Sequence, residues 1–373
     1  MQVNRLELKN FRNYSEQTLE FSPNINIIHG ANAQGKTNLI EAVYLACSGR
    51  SHRTKYDSEL IKFGSARSDI NLFFSDKTRD YKCNIRLSND KRKQICLNNI
   101  PLKKLSELMS CLNAVLFSPE DLMLVKGAPS QRRAFTDSAI SQLKPAYLST
   151  LITYYRVLEQ KNSLLKQLKR SMKTSDTTLS IWNEQLAALN ADIMLYRRDF
   201  LNSMQAFAAL HNIVPDEFDA KKNKENLKII YTPSLNYDIM DKDELSQVIL
   251  EKLESVASHE IENASSVTGI HRDDIAFYIN GNNARNYASQ GQQRSIVLVL
   301  KLALSDYIFS QRGEQAVLLL DDILSELDSV RRAYLLSNLK DRQVIITCTD
   351  VDRAYISGND TCKYFNVKDG NII

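Results

Sequence analysis

No two of the six cysteines, Cys47, Cys83, Cys96, Cys111, Cys348 and Cys362, form a C-x-x-C pair, and the five histidines are equally dispersed. Spacing therefore supplies no zinc site and no disulfide framework. No uninterrupted apolar run approaches the ~20 residues that span a bilayer. Met1 to Asn10 alternates charged with apolar residues and lacks the basic-then-apolar order of a signal segment. A reduced, cytoplasmic protein with no membrane partner is expected. No repeat recurs at solenoid periods, which excludes an array. Excess charge of one sign is slight too: the net formal charge is only +4, a mild preference for nucleic acid that becomes a signal only if one face collects the excess.

What is present is an ordinary globular composition, 43% hydrophobic and 25% charged, which excludes a disordered chain. Val3 to Leu8 and Ile25 to Ile28 read as strands. Leu39, Ile40, Val43, Tyr44 and Ala46 recur at helical spacing. Strand-like pieces follow at 71–74, 81–87 and 94–97, ended by polar turns such as Ser88-Asn89-Asp90. Beyond Pro119 the period becomes helical: Tyr147 to Leu165 and Trp182 to Phe207 predict two helices joined by the polar stretch Arg170 to Thr178. This insertion is either an ordinary helical subdomain or a specialised arm. Further strands are predicted at 227–232, 275–279, 316–320 and 344–347. Helices are predicted over 245–261 and from about Gln292, and Asn280-Gly281 and Asp369-Gly370 as hairpin turns.

Gly30-Ala31-Asn32-Ala33-Gln34-Gly35-Lys36-Thr37 fits G-x-x-x-x-G-K-[ST], follows a β-branched run and opens a helix, the context a phosphate loop requires. Backbone N–H groups from Gly30 to Asn38 would cradle phosphates at the positive helix end. Lys36 would neutralise the β- and γ-oxygens of ATP, and Thr37 would offer its hydroxyl to Mg²⁺. Ala316 to Asp322 supplies an apolar strand that ends in two carboxylates. Asp321 is expected in the metal's coordination sphere, and Asp322 is the candidate base that orients the attacking water.

Ser289-Gln290-Gly291-Gln292-Gln293-Arg294-Ser295 precedes that strand, with a serine and a glycine at a helix start and nothing bulky to block a phosphate. Alone it is an ordinary capped helix. It is followed in order by Ser325-Glu326-Leu327-Asp328 and by Gln343 to Asp350. Together these segments resemble the signature, D-loop and switch segment of ABC ATPases. In that arrangement Ser289, Gly291 and Gln292 would serve the γ-phosphate of a second subunit, with Ser325 and Asp328 forming the D-loop. Two departures stand out: Asp322 where most ABC ATPases carry Glu, and Thr349-Asp350 where SMC relatives usually carry a histidine.

Leu8-Lys9-Asn10-Phe11-Arg12-Asn13-Tyr14, Ser51-His52-Arg53, Phe117 to Leu122, Pro129, Arg132 to Phe135 and Gly269-Ile270-His271-Arg272-Asp273-Asp274 narrow the likeness further. With them the chain resembles the RecF family of recombination mediators over nearly its whole length. By that resemblance Arg12 and Asn13 reach the nucleotide, and the Glu120 region acts as the Q-loop. The cofactors are ATP and Mg²⁺, and the partners are DNA, RecR, RecO and a second copy of the chain. The implied activity is an ATP-driven dimer that clamps DNA at gaps and helps load recombinase, with slow hydrolysis releasing it. A transporter nucleotide-binding subunit would share the phosphate chemistry, but it expects a shorter insertion, Glu at 322 and a switch histidine. A scaffold with a vestigial site is opposed by intact Lys36, Thr37, Asp321 and Ser289.

The roughly 250 residues between phosphate loop and signature are too few for a long SMC coiled coil. The expected fold is an α/β, ABC-type P-loop ATPase head with a mixed sheet, built from both chain ends, plus an inserted helical arm. Its expected parts are 1–118, 119–269 and 270–373. No recognition-helix motif is present, so DNA contact is expected to be sequence-tolerant. Candidate contacts are Lys91, Arg92, Lys93, Arg132, Arg133, Lys166, Lys169, Arg170, Lys173, Arg197, Arg198, Lys221, Lys222 and Lys224. Phosphate contact demands no particular spacing, so each is equally a residue of a solvated face.

Overall fold

The protein is described from a computed structural model covering residues 1–173, 176–211, 225–235, 238–349 and 362–373. The chain divides into two compact units. The first comprises Met1–Leu122, Phe207–Glu225 and Ser289–Ile373, and the second Met123–Ala206 and Asn226–Ala288.

The first unit is an α/β head. Its antiparallel sheet runs in the order Tyr14–Glu20, Gln2–Phe11, Arg67–Ser75, Asp80–Ser88, Gln94–Leu97, Ile100–Pro101. In Arg67–Ser75 and Asp80–Ser88 every second residue is buried, the alternation of a sheet with one face on the core and one in water. The second sheet is ordered Asn371–Ile372, Lys363–Lys368, Ile25–His29, Val344–Cys348, Val317–Asp321, Ala114–Phe117. Its neighbours are parallel except the C-terminal hairpin, so the sheet is mixed. Ile25–His29 lies between two strands from the C-terminal end of the chain, so both ends build the head, as expected. These central strands are nearly continuous apolar runs because both faces are covered.

Between the sheets runs the helix Lys36–Ser48. Leu39 and Val43 share one core with Leu6, Leu72 and Ile85 of the antiparallel sheet and with Ile28, Leu319 and Ile345 of the parallel one. The helix ends at Gly49, whose φ of 68° supplies the left-handed cap. Layering fixes the phosphate loop, since the helix that follows it cannot shift without opening that core.

The second unit is mainly helical, with Pro129–Leu143, Pro145–Arg170 and Thr177–Ala208 as its long helices. It also holds a three-stranded sheet ordered Asn282–Asn283, Asp274–Ile279, Leu227–Thr232. Residues 270–288, expected in the head, belong here, because Asp274–Ile279 pairs along its whole length with Leu227–Thr232. The Asn280-Gly281 turn is present, with φ of 50° and 84°, a two-residue turn that suits right-twisted strands. The single helix expected over 245–261 is two, Lys242–Ser255 and Ala257–Asn263, because Val256 leaves helical geometry at φ −98°, ψ 1°.

The string His271-Arg272-Asp273-Asp274 is the hub of this unit. Arg197, fully buried, donates to both Asp137 oxygens at 2.9 and 3.0 Å and to Asp273 Oδ2 at 3.0 Å. Tyr231 also donates to Asp273, and Ser234 N–H donates to it at 2.8 Å. Arg132 forms a two-pronged pair with Asp274 at 2.7 and 2.9 Å. These residues hold the unit together from inside.

Candidate nucleotide-binding site

The loop Gly30–Thr37 joins the end of Ile25–His29 to the start of the helix Lys36–Ser48. Two glycines are required by its shape. A Cβ at Gly30 (φ 150°) would meet Val367 O at 2.2 Å, and one at Gly35 (φ 112°) would meet the Asn13 side chain at 2.5 Å. Neighbours hold the loop from outside: Asn13 Nδ2 donates to Gln34 O at 2.9 Å, and Tyr14 OH donates to Gly35 O at 3.1 Å. Asn38 Nδ2 donates to Asn13 Oδ1 at 2.8 Å, while the Asp369 N–H of the C-terminal turn donates to Gln34 Oε1 at 2.5 Å. Asn13 thus reaches the loop. Ala31, Asn32 and Ala33 form its exposed crest.

Lys36 is 7% exposed, and its ammonium donates to Gly30 O at 2.6 Å and Ala31 O at 2.8 Å. Thr37 donates to Asp321 Oδ1 at 2.9 Å, and the same oxygen accepts from Thr347 at 2.7 Å. Burial pushes the Asp321 carboxyl above its ordinary value, the two threonine hydroxyls oppose this only in part, and the Glu120 charge adds to it. Glu120 is exposed in the turn Pro119–Leu122.

Asp322 takes the left-handed conformation, φ 51°, ψ 18°, uncommon outside glycine, and is fixed by its N–H donating to Thr347 Oγ1 at 2.9 Å. Its Oδ1 is buried and has no hydrogen-bond partner among the described residues. The donor set suits a magnesium nucleotide. A hydroxyl and a carboxylate at contact distance are hard oxygen ligands, Asp322 Oδ1 is a buried acceptor without a donor, and a lysine on two loop carbonyls is a cation that a polyphosphate would draw.

Arg12 is placed differently from expectation. Its guanidinium is bidentate on the buried Glu41 at 2.9 and 2.8 Å and donates to Glu59 O at 2.8 Å, which commits it to the flank of the loop's helix. Ser51 donates to Glu41 at 2.5 Å and Arg53 at 3.4 Å, so one carboxylate gathers three elements. Sequence reasoning gave Glu41 no part, since a lone glutamate in a helical run carries no signal.

At the signature, Ser289 is exposed and caps the helix Gln290–Arg312: its Oγ accepts from Gln292 N–H at 3.1 Å while its own N–H donates to Gln292 Oε1 at 2.8 Å. This capping box fixes the helix start, with Gly291 half-buried in its first turn. Gln292 also donates to Glu225 at 2.6 Å. Ser325 donates to Asp322 O at 2.7 Å, and Asp328 caps Ser329–Ser337 through the Arg331 N–H at 2.8 Å. Arg331, 2% exposed, also donates from Nε to Ser295 Oγ at 2.8 Å, and Arg294 pairs with Glu326 at 3.1 Å. The signature helix and D-loop are thus clasped at two points.

Among the basic candidates, Lys91, Arg92, Lys166, Lys169, Arg170 and Lys173 are exposed. Lys93 is committed to Asp57 and Gly49 O, both at 2.9 Å. Arg132, 3% exposed and paired with Asp274, and the buried Arg197 do not present charge to a nucleic acid, which corrects their place among the DNA candidates. Arg133 donates to Asp273 O at 2.6 Å and Arg198 to Ile239 O at 2.9 Å. Lys221, Lys222, Lys224 and Asp350 lie outside the described residues. No helix among the described residues is long and apolar enough to cross a membrane.

Comparison with known proteins agrees with this layout. A family model described as an AAA domain matches residues 5–343. The DNA replication and repair protein RecF of Acetivibrio thermocellus is 42% identical over 94% of this chain and 94% of its own. That of Clostridium tetani is 39% identical over 100% of both. A solved recombination mediator protein RecF-ATP of the RecFOR pathway superposes with a TM-score of 0.89 at 32% identity, covering 100% of this chain and 97% of that one. An Smc head domain from Pyrococcus furiosus superposes with a TM-score of 0.54 at 15% identity, covering 100% of this chain and 96% of that one. That last likeness is one of fold.

Proposed function

The chain belongs to the RecF family of DNA replication and repair proteins, and from that premise we propose that it is an ATP-switched DNA-binding protein of recombinational repair. ATP with Mg²⁺ binds at Gly30–Asn38, two heads close on it, and the closed dimer clamps DNA at gaps. RecO and RecR act with it in loading recombinase. Slow hydrolysis ends the closed state. The observation that carries this reading is the Thr37–Asp321 contact, because it brings the two halves of a metal-nucleotide site together from distant parts of the sequence.

Lys36 exchanges two carbonyl partners for phosphate oxygens, replacing ion–dipole contacts with a pairing of opposite charges. Thr37 and Asp321 would hold a Mg²⁺, which would supply neutralisation of the phosphate charge. Asp322 orients the attacking water from its fixed backbone position. One methylene shorter than glutamate, it reaches less far, which favours slow turnover suited to a timer. Ser289, Gly291 and Gln292, at the capped start of a helix, serve the γ-phosphate held by a partner copy, so ATP favours the closed dimer by its higher affinity for that state. The exposed Lys91, Arg92, Lys169 and Arg170 are the DNA contacts this reading retains.

The test is binding to a gapped duplex with and without ATP. ATP-dependent retention, lost in Lys36→Ala, supports the reading. Retention indifferent to ATP in the natural chain contradicts it.

A further inference from the structure

The segment Gln343 to Thr349 carries no histidine, yet it places one hydroxyl against both acidic residues of the site. Thr347 is fully buried in the strand Val344–Cys348, directly after Val344, Ile345 and Ile346. A valine has nearly the same shape and would fill this place, whereas a buried hydroxyl is costly unless it is hydrogen-bonded. Here it is bonded in both senses. It donates to Asp321 Oδ1 at 2.7 Å and accepts from the Asp322 N–H at 2.9 Å.

Strand pairing dictates this position. Thr347 lies opposite Asp321 on one side and opposite Ile28 on the other, one residue before the end of the strand that leads into the phosphate loop. The same Asp321 oxygen accepts from Thr37, on the helix that follows the loop, at 2.9 Å. Asp322 needs an anchor, because its φ of 51° is one that residues other than glycine seldom adopt. Its N–H is held by Thr347, and its carbonyl accepts from the Ser325 hydroxyl at 2.7 Å. A single oxygen atom of Thr347 thereby fixes the Asp321 carboxylate and the Asp322 backbone relative to each other.

We propose that Thr347 is a positioning residue for ATP hydrolysis: its hydroxyl sets the Asp321 carboxylate at the metal position and aims the Asp322 carboxylate at the attacking water. The inference deepens the nucleotide reading above and rests on it. Thr347 acts through the two aspartates, so losing its hydroxyl disturbs metal-dependent binding and turnover together. The grip of Lys36 and the loop N–H groups on phosphate does not depend on it.

The test uses the full chain, following ATP turnover and the binding of a fluorescent, slowly hydrolysed ATP analogue in Mg²⁺ and in EDTA. Thr347→Val keeps the shape and removes the hydroxyl, while Thr347→Ser keeps the hydroxyl and gives up the methyl. In the valine chain kcat is expected to fall about tenfold or more and the Mg²⁺ midpoint to rise about tenfold, with affinity in EDTA within about twofold of natural. The serine chain should stay near the natural one on every readout. A packing role alone gives the opposite ranking, with valine harmless and serine impaired. Thr347→Cys, whose thiol is a weak donor and acceptor, is expected between the two and supplies the contrast with serine should the valine chain fail to fold. Unchanged turnover and Mg²⁺ midpoint in the valine chain overturn the proposal. So does a serine chain as impaired as the valine one, or an equal loss of binding with and without metal in a folded variant. A natural chain that binds no nucleotide in either buffer sinks the nucleotide reading itself.

Discussion

Thr37 donates its hydroxyl to Asp321 at 2.9 Å although 284 positions separate them. The contact exists because Ile25–His29 and Val317–Asp321 both flank Val344–Cys348 as parallel neighbours and end on the same side. The approach of the two side chains therefore follows from strand order.

Asp321→Asn tests that geometry through stability. Burial raises the Asp321 pKa, so the folded state favours the protonated form and the charge it carries near neutral pH is a cost. Asparagine keeps an acceptor oxygen for Thr37 and Thr347 and removes that cost. Calorimetry of the nucleotide-free protein should show a Tm higher by roughly 1–3 °C, with metal-dependent nucleotide binding lost. A lower Tm would show that the carboxylate stabilises the empty head.

Glu41→Gln tests the flank by pH. Burial pushes the Glu41 carboxyl up, but hydrogen bonds from Arg12 and Ser51 and the charges of Arg12 and Arg53 prevail and hold it below its ordinary value. A depressed carboxyl contributes stability above its unfolded pKa and loses it as pH falls through the folded one. The variant should be about 2 kcal/mol less stable at pH 7, with the gap narrowing below about pH 4. A gap of constant size from pH 7 to pH 3 in urea unfolding would refute this.

Much of this was legible in advance, and the reasons differ by element. The phosphate loop, the acidic strand end and the Asn280-Gly281 turn are local: each needs particular residue types at fixed spacing. Strand Ala114–Phe117 and helix Pro129–Leu143 escaped because a four-residue apolar run and a helix of weak amphipathic contrast give little periodicity. Arg132 and Arg197 read as surface cations because sequence does not show that Asp274, Asp137 and Asp273 await them inside. Glu41 was invisible as an actor for the same reason: its meaning lies in the Arg12, Ser51 and Arg53 side chains that meet it.

Arg331→Met tests whether the signature helix and D-loop act as one block. The variant removes the bond to Ser295 and the tie to Asp328 while filling similar space. Nucleotide affinity should stay within threefold, and ATP-driven self-association should weaken about tenfold, roughly 1.4 kcal/mol. Equal losses in both would mean the arginine merely supports the head's fold.

Asp273→Asn tests the arm's hub. It strips charge from a carboxylate that neutralises the fully buried Arg197 and receives Tyr231. Breaking such a buried pair costs about 3–5 kcal/mol. Trp182, the one tryptophan, lies in the second unit's helix Thr177–Ala208, so its fluorescence reports that unit's unfolding. The midpoint should fall sharply while nucleotide binding persists. An unshifted midpoint would remove Asp273 from the unit's support.

The most direct measurement is sedimentation velocity at saturating ATP and Mg²⁺, on the natural chain and on Ser289→Arg, with nucleotide binding followed in parallel. The account predicts a dimer for the natural chain, a monomer for the variant, and nucleotide binding by both. A natural chain that stays monomeric with ATP, both free and on gapped DNA, would contradict it.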